Sequence, residues 1–290
     1  MNRIASVLAA VDFSDDARAA LARAGALAAA LGARLAVLHV VDAEMLMVLH
    51  RDFGCSTDAE QRMIEELRRL LSKEAAAAPA GTPPATHVAV GPVLDEILAA
   101  AAGHDLLVVG AHGLNRLRDM LIGTTAARLL ARTRIPVLVV KRPPAGPYRR
   151  VLIPLDAFSD APDPLPLALR VAPEAELAVV HALHVPGRDT LWLAGVSQEH
   201  IDAHQARARE RAAERIAARV RAAGAKDRAV HTIIERDDAA PLILAQQAAL
   251  EADLIVMGKR HRPGASELLL GSVARRVLSA APCDVLVVPG

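Results

Sequence analysis

Three glycines and a threonine in one stretch have the spacing of an anion-binding loop: Gly110, two residues, Gly113, nine residues, Gly123, then Thr124. Each residue type has a physical use. Glycine can take φ > 0, and its lack of a β-carbon lets backbone N–H groups come close to an anion. Gly110 ends an apolar, strand-like run, the place where ligands of open α/β sheets bind. Gly123 and Thr124 open a helical pattern whose free N–H groups and dipole favour phosphate. The Thr124 hydroxyl offers one more hydrogen bond. Asp12 ends the first apolar run, falls at the same sheet edge, and can accept hydrogen bonds from a sugar or a base. Isolated glycines serve tight turns alone; three at this spacing, followed by a hydroxyl residue, favour binding.

Other candidates are weaker. His112 lies inside the loop and can meet a phosphate, but no carboxylate or cysteine stands near it in sequence to suggest a metal site. His39 and His181 end the second strands of two related segments and read as hydrogen-bonded structural residues. Arg116 and Arg118 are within reach of phosphates, and Asp119, in the middle of the spacer, reads as a solvated turn residue. Trp192 reads as packing. There is no Walker A motif, Gly-x-Gly-x-x-Gly, Cys-x-x-Cys or Gly-x-Ser-x-Gly.

The elements that must position the loop are short apolar runs alternating with helical patterns. Strands are predicted over 7–11, 35–41, 106–109 and 137–140, with a weaker one at 87–90. Helices are predicted over 15–31, 58–78, 93–102 and 124–131, with Ser14 as the first N-cap. Such alternation means a parallel sheet covered on both faces. The pattern then repeats. Val7-Leu8-Ala9-Ala10-Val11-Asp12 returns as Val151-Leu152-Ile153-Pro154-Leu155-Asp156, and Asp105-Leu106-Leu107-Val108-Val109-Gly110 as Asp253-Leu254-Ile255-Val256-Met257-Gly258. Gly123-Thr124 returns as Gly271-Ser272, and Val137–Val140 as Val285–Val288. The joint is the proline-rich Lys141–Pro147, dividing the chain into domains 1–145 and 146–290. In the second copy, 205–223 reads as an Arg-rich helix with Ile216 and Val220 toward the core.

Composition sets bounds. Of 290 residues, 53% are hydrophobic, which supports a full core, and 2% are aromatic, which removes stacking on many bases. Thirty-four basic against 33 acidic residues give a net charge of +1, so nothing points to nucleic acid or an anionic membrane. Two cysteines at unrelated positions suggest a reducing compartment. No run reaches the ~20 apolar residues of a membrane span. The expectation is a cytoplasmic protein.

The Val-Asp-Phe-Ser at 11–14, the glycines at 110, 113 and 123, and the Pro136–Val140 ending resemble the universal stress protein family, over both halves. The resemblance implies two tandem copies of a five-stranded parallel sheet of the Rossmann-like HUP class, order 3-2-1-4-5. It implies ATP, with Mg²⁺ as a possible companion. Asp12 and the backbone of Val40 would contact the adenosine part, and Gly110, Gly113, Gly123, Thr124 and Thr125 the ribose and phosphates. In the second copy Asp156, Gly258, Gly271 and Ser272 keep the pattern. His261 replaces the middle glycine there and would crowd the loop. The cluster Lys259–Arg262 reads as a solvated basic turn, with attraction of an anion as the alternative. The resemblance further implies an intramolecular pseudo-dimer through the final strands, with a homodimer of chains as a further alternative.

Three functions are in contention. The first is a regulatory stress-response protein that binds ATP mainly in the N-terminal domain and signals its state to a protein partner. The second is a scaffold without nucleotide. The third, weakest for want of an evident base beside the loop, is a slow ATP hydrolase or a nucleotidyl transferase.

Overall fold

A computed structural model describes residues 3–113, 123–159, 161–183, 194, 196–225, 228–259 and 270–290. Its elements in the first half are β1 (Ser6–Ala10), α1 (Asp15–Leu31), β2 (Arg34–Asp42), α2 (Ala43–Phe53), α3 (Thr57–Ala76), β3 (Ala85–Gly91), α4 (Val93–Ala101), β4 (Leu106–Gly110), α5 (Thr124–Arg132) and β5 (Val137–Val140). The second half contributes β6 (Arg150–Pro154), α6 (Leu165–Val171), β7 (Glu176–Ala182), α7 (Gln198–Ala222), β8 (Val230–Glu235), α8 (Ala239–Ala249), β9 (Leu254–Gly258), α9 (Ser272–Ala280) and β10 (Asp284–Val288).

Local chemistry sets these boundaries. Ser14 caps α1 by accepting from the Ala17 N–H at 3.2 Å, Asp15 and Asp16 sit against the positive end of the helix, and Gly32 ends it in the left-handed region at φ 60°. Helix α2, which the apolar periodicity does not announce, runs between an Asp42 cap and a left-handed Gly54. The Arg-rich helix begins at Gln198, seven residues before its expected start at 205, because Ser197 caps it there; Ile216 is buried and Val220 half-buried against the core.

The strands form one sheet in the order β3-β2-β1-β4-β5-β10-β9-β6-β7-β8. Each half therefore has the order 3-2-1-4-5 and is parallel within itself. The halves join edge to edge, β5 antiparallel to β10, with Leu138 opposite Leu286. The two final strands thus bury each other's edges, as the resemblance implied. Alternate strand residues feed two cores. One takes Val7, Val108, Leu138, Ile153, Val256 and Leu286 under α1, α3 and α6; the other takes Leu8, Leu107, Val137, Leu152, Ile255 and Val287 under α4, α5, α8 and α9. Both cores run unbroken through the seam.

A buried polar cluster crosses that seam on the α1 face. The Asp284 carboxylate accepts from Tyr148 Oη at 2.7 Å and from the Lys141 backbone N–H at 2.9 Å, with Arg23 Nε at 3.4 Å. The Arg23 guanidinium stacks over the Tyr148 ring at 4.1 Å and donates to the Gly146 carbonyl at 2.7 Å. Burial raises the Asp284 carboxyl above its ordinary range and the Tyr148 hydroxyl well above its own.

Candidate functional site

The carboxyl ends of β1 and β4 lie side by side, with Ala10 paired to Val109. The loops leaving them meet at this rim. Asp12 Oδ1 accepts from the Ser14 N–H at 3.1 Å, closing a tight turn on its own backbone. Phe13, inside that turn, is held at φ 64°, a region costly for a bulky side chain. Its ring lies 4.6 Å from that of His39, and its carbonyl accepts from Arg18 at 2.7 Å. His39 is structural, its Nδ1 bonded to the Val11 carbonyl at 2.9 Å. Val40 is half-buried on β2, opposite Ala89 of β3.

The glycines of the loop serve close approach. A β-carbon on Gly110 would stand 2.8 Å from the Asp16 carbonyl carbon, and one on Gly113 would stand 2.5 Å from Asp12 Oδ2. Neither takes positive φ, so of the two uses of glycine named from the sequence it is close approach that operates here: the first turn of α1 and the Asp12 carboxylate occupy the space a β-carbon would need. Gly123 closes the loop, its N–H donating to the Ala111 carbonyl at 2.7 Å. It is also the N-cap of α5, with no side chain to satisfy that end, and Thr124 and Thr125 are exposed beside it. The first N–H groups of a helix have no intrahelical partners, so this end is chemically suited to an anion.

One partner was invisible in sequence. The His112 ring donates from Nδ1 to Asp16 Oδ2 at 2.8 Å, and its backbone N–H reaches the same oxygen at 3.1 Å. Asp16 lies 96 residues away, which is why His112 reads as unpartnered along the chain. The carboxylate fixes the proton on Nδ1 and leaves Nε2 on the opposite side of the ring. Arg116, Arg118 and Asp119 lie outside the described residues.

The second half repeats the rim with differences. Asp156 Oδ1 accepts from the Phe158 N–H at 3.1 Å, and His181 Nδ1 donates to the Leu155 carbonyl at 3.0 Å; burial lowers the affinity of that imidazole for a proton. A β-carbon on Gly258 would stand 2.5 Å from the Pro162 carbonyl oxygen, whereas Gly271 has open space. Gly271 caps α9 without a side-chain bond, and Ser272 is exposed. Arg219 of α7 donates to the Ser159 carbonyl at 2.7 Å, and the Arg215 guanidinium lies 4.9 Å over the Phe158 ring. Lys259 is neither a solvated turn residue nor an anion ligand: it is 4% exposed and donates across the seam to the Ala131 carbonyl. Arg260, His261, Arg262 and Trp192 lie outside the described residues. Among the described residues no group of three or more His, Cys, Asp or Glu is placed to hold a metal, and no helix is long and apolar enough to cross a membrane.

A doubled α/β sheet with glycine loops at the carboxyl ends of its strands is the class of protein that fold and site define. The family model described as the universal stress protein family matches residues 4–141 and again 147–289, so the chain belongs to that family, as a tandem pair of its domains. A universal stress protein of Mycolicibacterium smegmatis is 25% identical over 97% of this chain and 96% of its own length. One from Mycobacterium tuberculosis is 27% identical over the same shares. The crystal structure of a universal stress protein from Archaeoglobus fulgidus is similar in fold, with a TM-score of 0.67 at 22% identity over 99% of this chain and 98% of that one.

Proposed function

We propose that the chain binds ATP at the rim of its first half and acts in the cytoplasm as a regulatory stress-response protein, with bound ATP as a marker of state. The observation that carries this reading is the convergence at one rim of the uncapped α5 N-terminus, the exposed Thr124 and Thr125, and the Asp12 carboxylate packed against Gly113. The helix end suits phosphates, and the carboxylate suits the hydroxyls or amino group of a nucleoside. Mg²⁺ would accompany ATP through its phosphates, with the Thr124 hydroxyl as a ligand from the protein. The two free cysteines, one half-buried and one buried, fit a reducing compartment. Turnover is expected to be slow or absent. Phosphoryl transfer needs an oriented nucleophile and clamped charge, and the carboxylates nearest the loop already serve the backbone and His112.

Calorimetry on the full chain tests this. ATP should bind with one strong site per chain, and Gly113→Ala should weaken it about tenfold, a loss of about 1.4 kcal/mol, because the new methyl displaces Asp12. Unchanged affinity in that variant would remove the loop from the site. Sustained ATP turnover near the ~10 s⁻¹ common for enzymes would sink the regulatory reading.

A further inference from the structure

Helix α5, whose N-terminus lines the proposed site in the first half, is held from behind by a residue of the second half. Because β5 and β10 run antiparallel, the carboxyl rim of one half lies beside the amino rim of the other. The C-terminus of α5 therefore ends near the loop that leaves β9. Lys259, the first residue after β9, is tied there by its own N–H to the Val288 carbonyl at 2.7 Å. Its ammonium donates to Ala131 O in the last turn of α5. The arrangement is reciprocal. Lys141, following β5, sends its ammonium to the Leu278 and Ala281 carbonyls at the C-terminus of α9. The two lysines do not occupy equivalent positions in the repeat: Lys259 stands where the first half has Ala111, and Lys141 where the second has Pro289.

A buried ammonium is costly unless it is bonded, and a helix C-terminus is where its charge is best placed. Helix α5 has nine residues, too few to be stable alone. Its N-cap residue, Gly123, has no side chain with which to cap it, so among the described residues its position rests on packing and on its far end. We propose that Lys259 is a positioning residue for the first-half nucleotide site, so that the second half sets how firmly the α5 N-terminus is presented to phosphates. This rests on the ATP reading for its ligand, but not for the pinning itself.

The test uses the full chain. Lys259→Met keeps the apolar stem and removes the charge; Lys259→Gln keeps a donor and serves if the first variant fails to fold. Ile216→Val, out on α7, is a destabilised control. Hydrogen exchange of residues 124–132 and ATP affinity are measured for each. The expected result is selective loss of protection in α5 and affinity lowered about tenfold, within the usual range for coupling between sites, with the control retaining both. Unchanged α5 protection together with unchanged affinity would overturn the proposal, as would loss spread evenly over all helices. If the parent protein binds no ATP, the functional reading falls, and the exchange data alone decide: selective loss in α5 upholds the pinning, and any other pattern ends it.

Discussion

A β-carbon on Gly110 would press on backbone, the carbonyl carbon of Asp16 at 2.8 Å and the nitrogen of Ala17 at 3.0 Å. Backbone inside a capped helical turn does not yield as a side chain does. Gly110→Ala should therefore cost about 1–3 kcal/mol, as overpacking does, and should pull Asp16 away from His112. Thermal unfolding checks this; a variant as stable as the parent would show that the strand and helix have slack between them. The contrast with Gly113, whose neighbour is the end of a side chain, is one the sequence does not carry. Spacing identified both glycines as special, because a strand end followed by glycine is a local pattern. The reason each is special depends on α1, which arrives from nearly a hundred residues earlier. The same distance hid the Asp16–His112 pair.

Among the elements, the α2–α3 corner depends on a proton. His50 has an acceptor at each ring nitrogen: the Cys55 carbonyl at 2.6 Å from Nδ1 and Glu60 Oε2 at 2.6 Å from Nε2. Both bonds need an N–H, so the corner is complete only with the imidazolium. Glu60 foremost, then the Cys55 carbonyl, raises its pKa above the ordinary 6.5. For a base whose folded value is raised, the stabilisation is fully present below the unfolded value and is lost as pH rises through the folded one. An NMR titration of the His50 ring should give a midpoint above 6.5, and Glu60→Gln should bring it back down. A parent midpoint at or below 6.5 would contradict the geometry. This corner also marks where the sequence was least legible. The strand over 35–41 and the helix from 58 were evident, but between them residues 45–49 are apolar without a break, Met45, Met47 and Phe53 are exposed and Leu46 alone of α2 is buried, so the run does not read as a helical stripe. The usable signal was at its ends, Asp42 and Gly54, a start and a stop without a periodic middle.

At the scale of the whole molecule, the seam joins the cores of two similar halves, which should unfold as one unit. Leu138 is 1% exposed and sits opposite Leu286, in a core that continues on both sides. Leu138→Ala should cost about 2–5 kcal/mol, and calorimetry should show a single transition, in the parent and in the variant. Two resolved transitions would mean that the halves unfold separately and that the continuous cores do not couple them. The duplication and the meeting of final strands could be read from repeated motifs and the family resemblance. The side chains that lock the seam could not: Arg23 with Asp284, and Lys259 with Ala131, are joined by three-dimensional neighbourhood alone.

The reversal of strand direction at that seam has a consequence for traffic. Each half opens its loops toward the rim that the other half closes. Because the halves join antiparallel, the α5 N-terminus and Asp156 lie at opposite ends of the sheet, so a bulky partner over the first would not crowd a ligand at the second. Ligands at the two rims, were both to bind, would not touch. Any influence one exerts on the other must be transmitted through the protein interior, along helices whose two ends belong to different mouths.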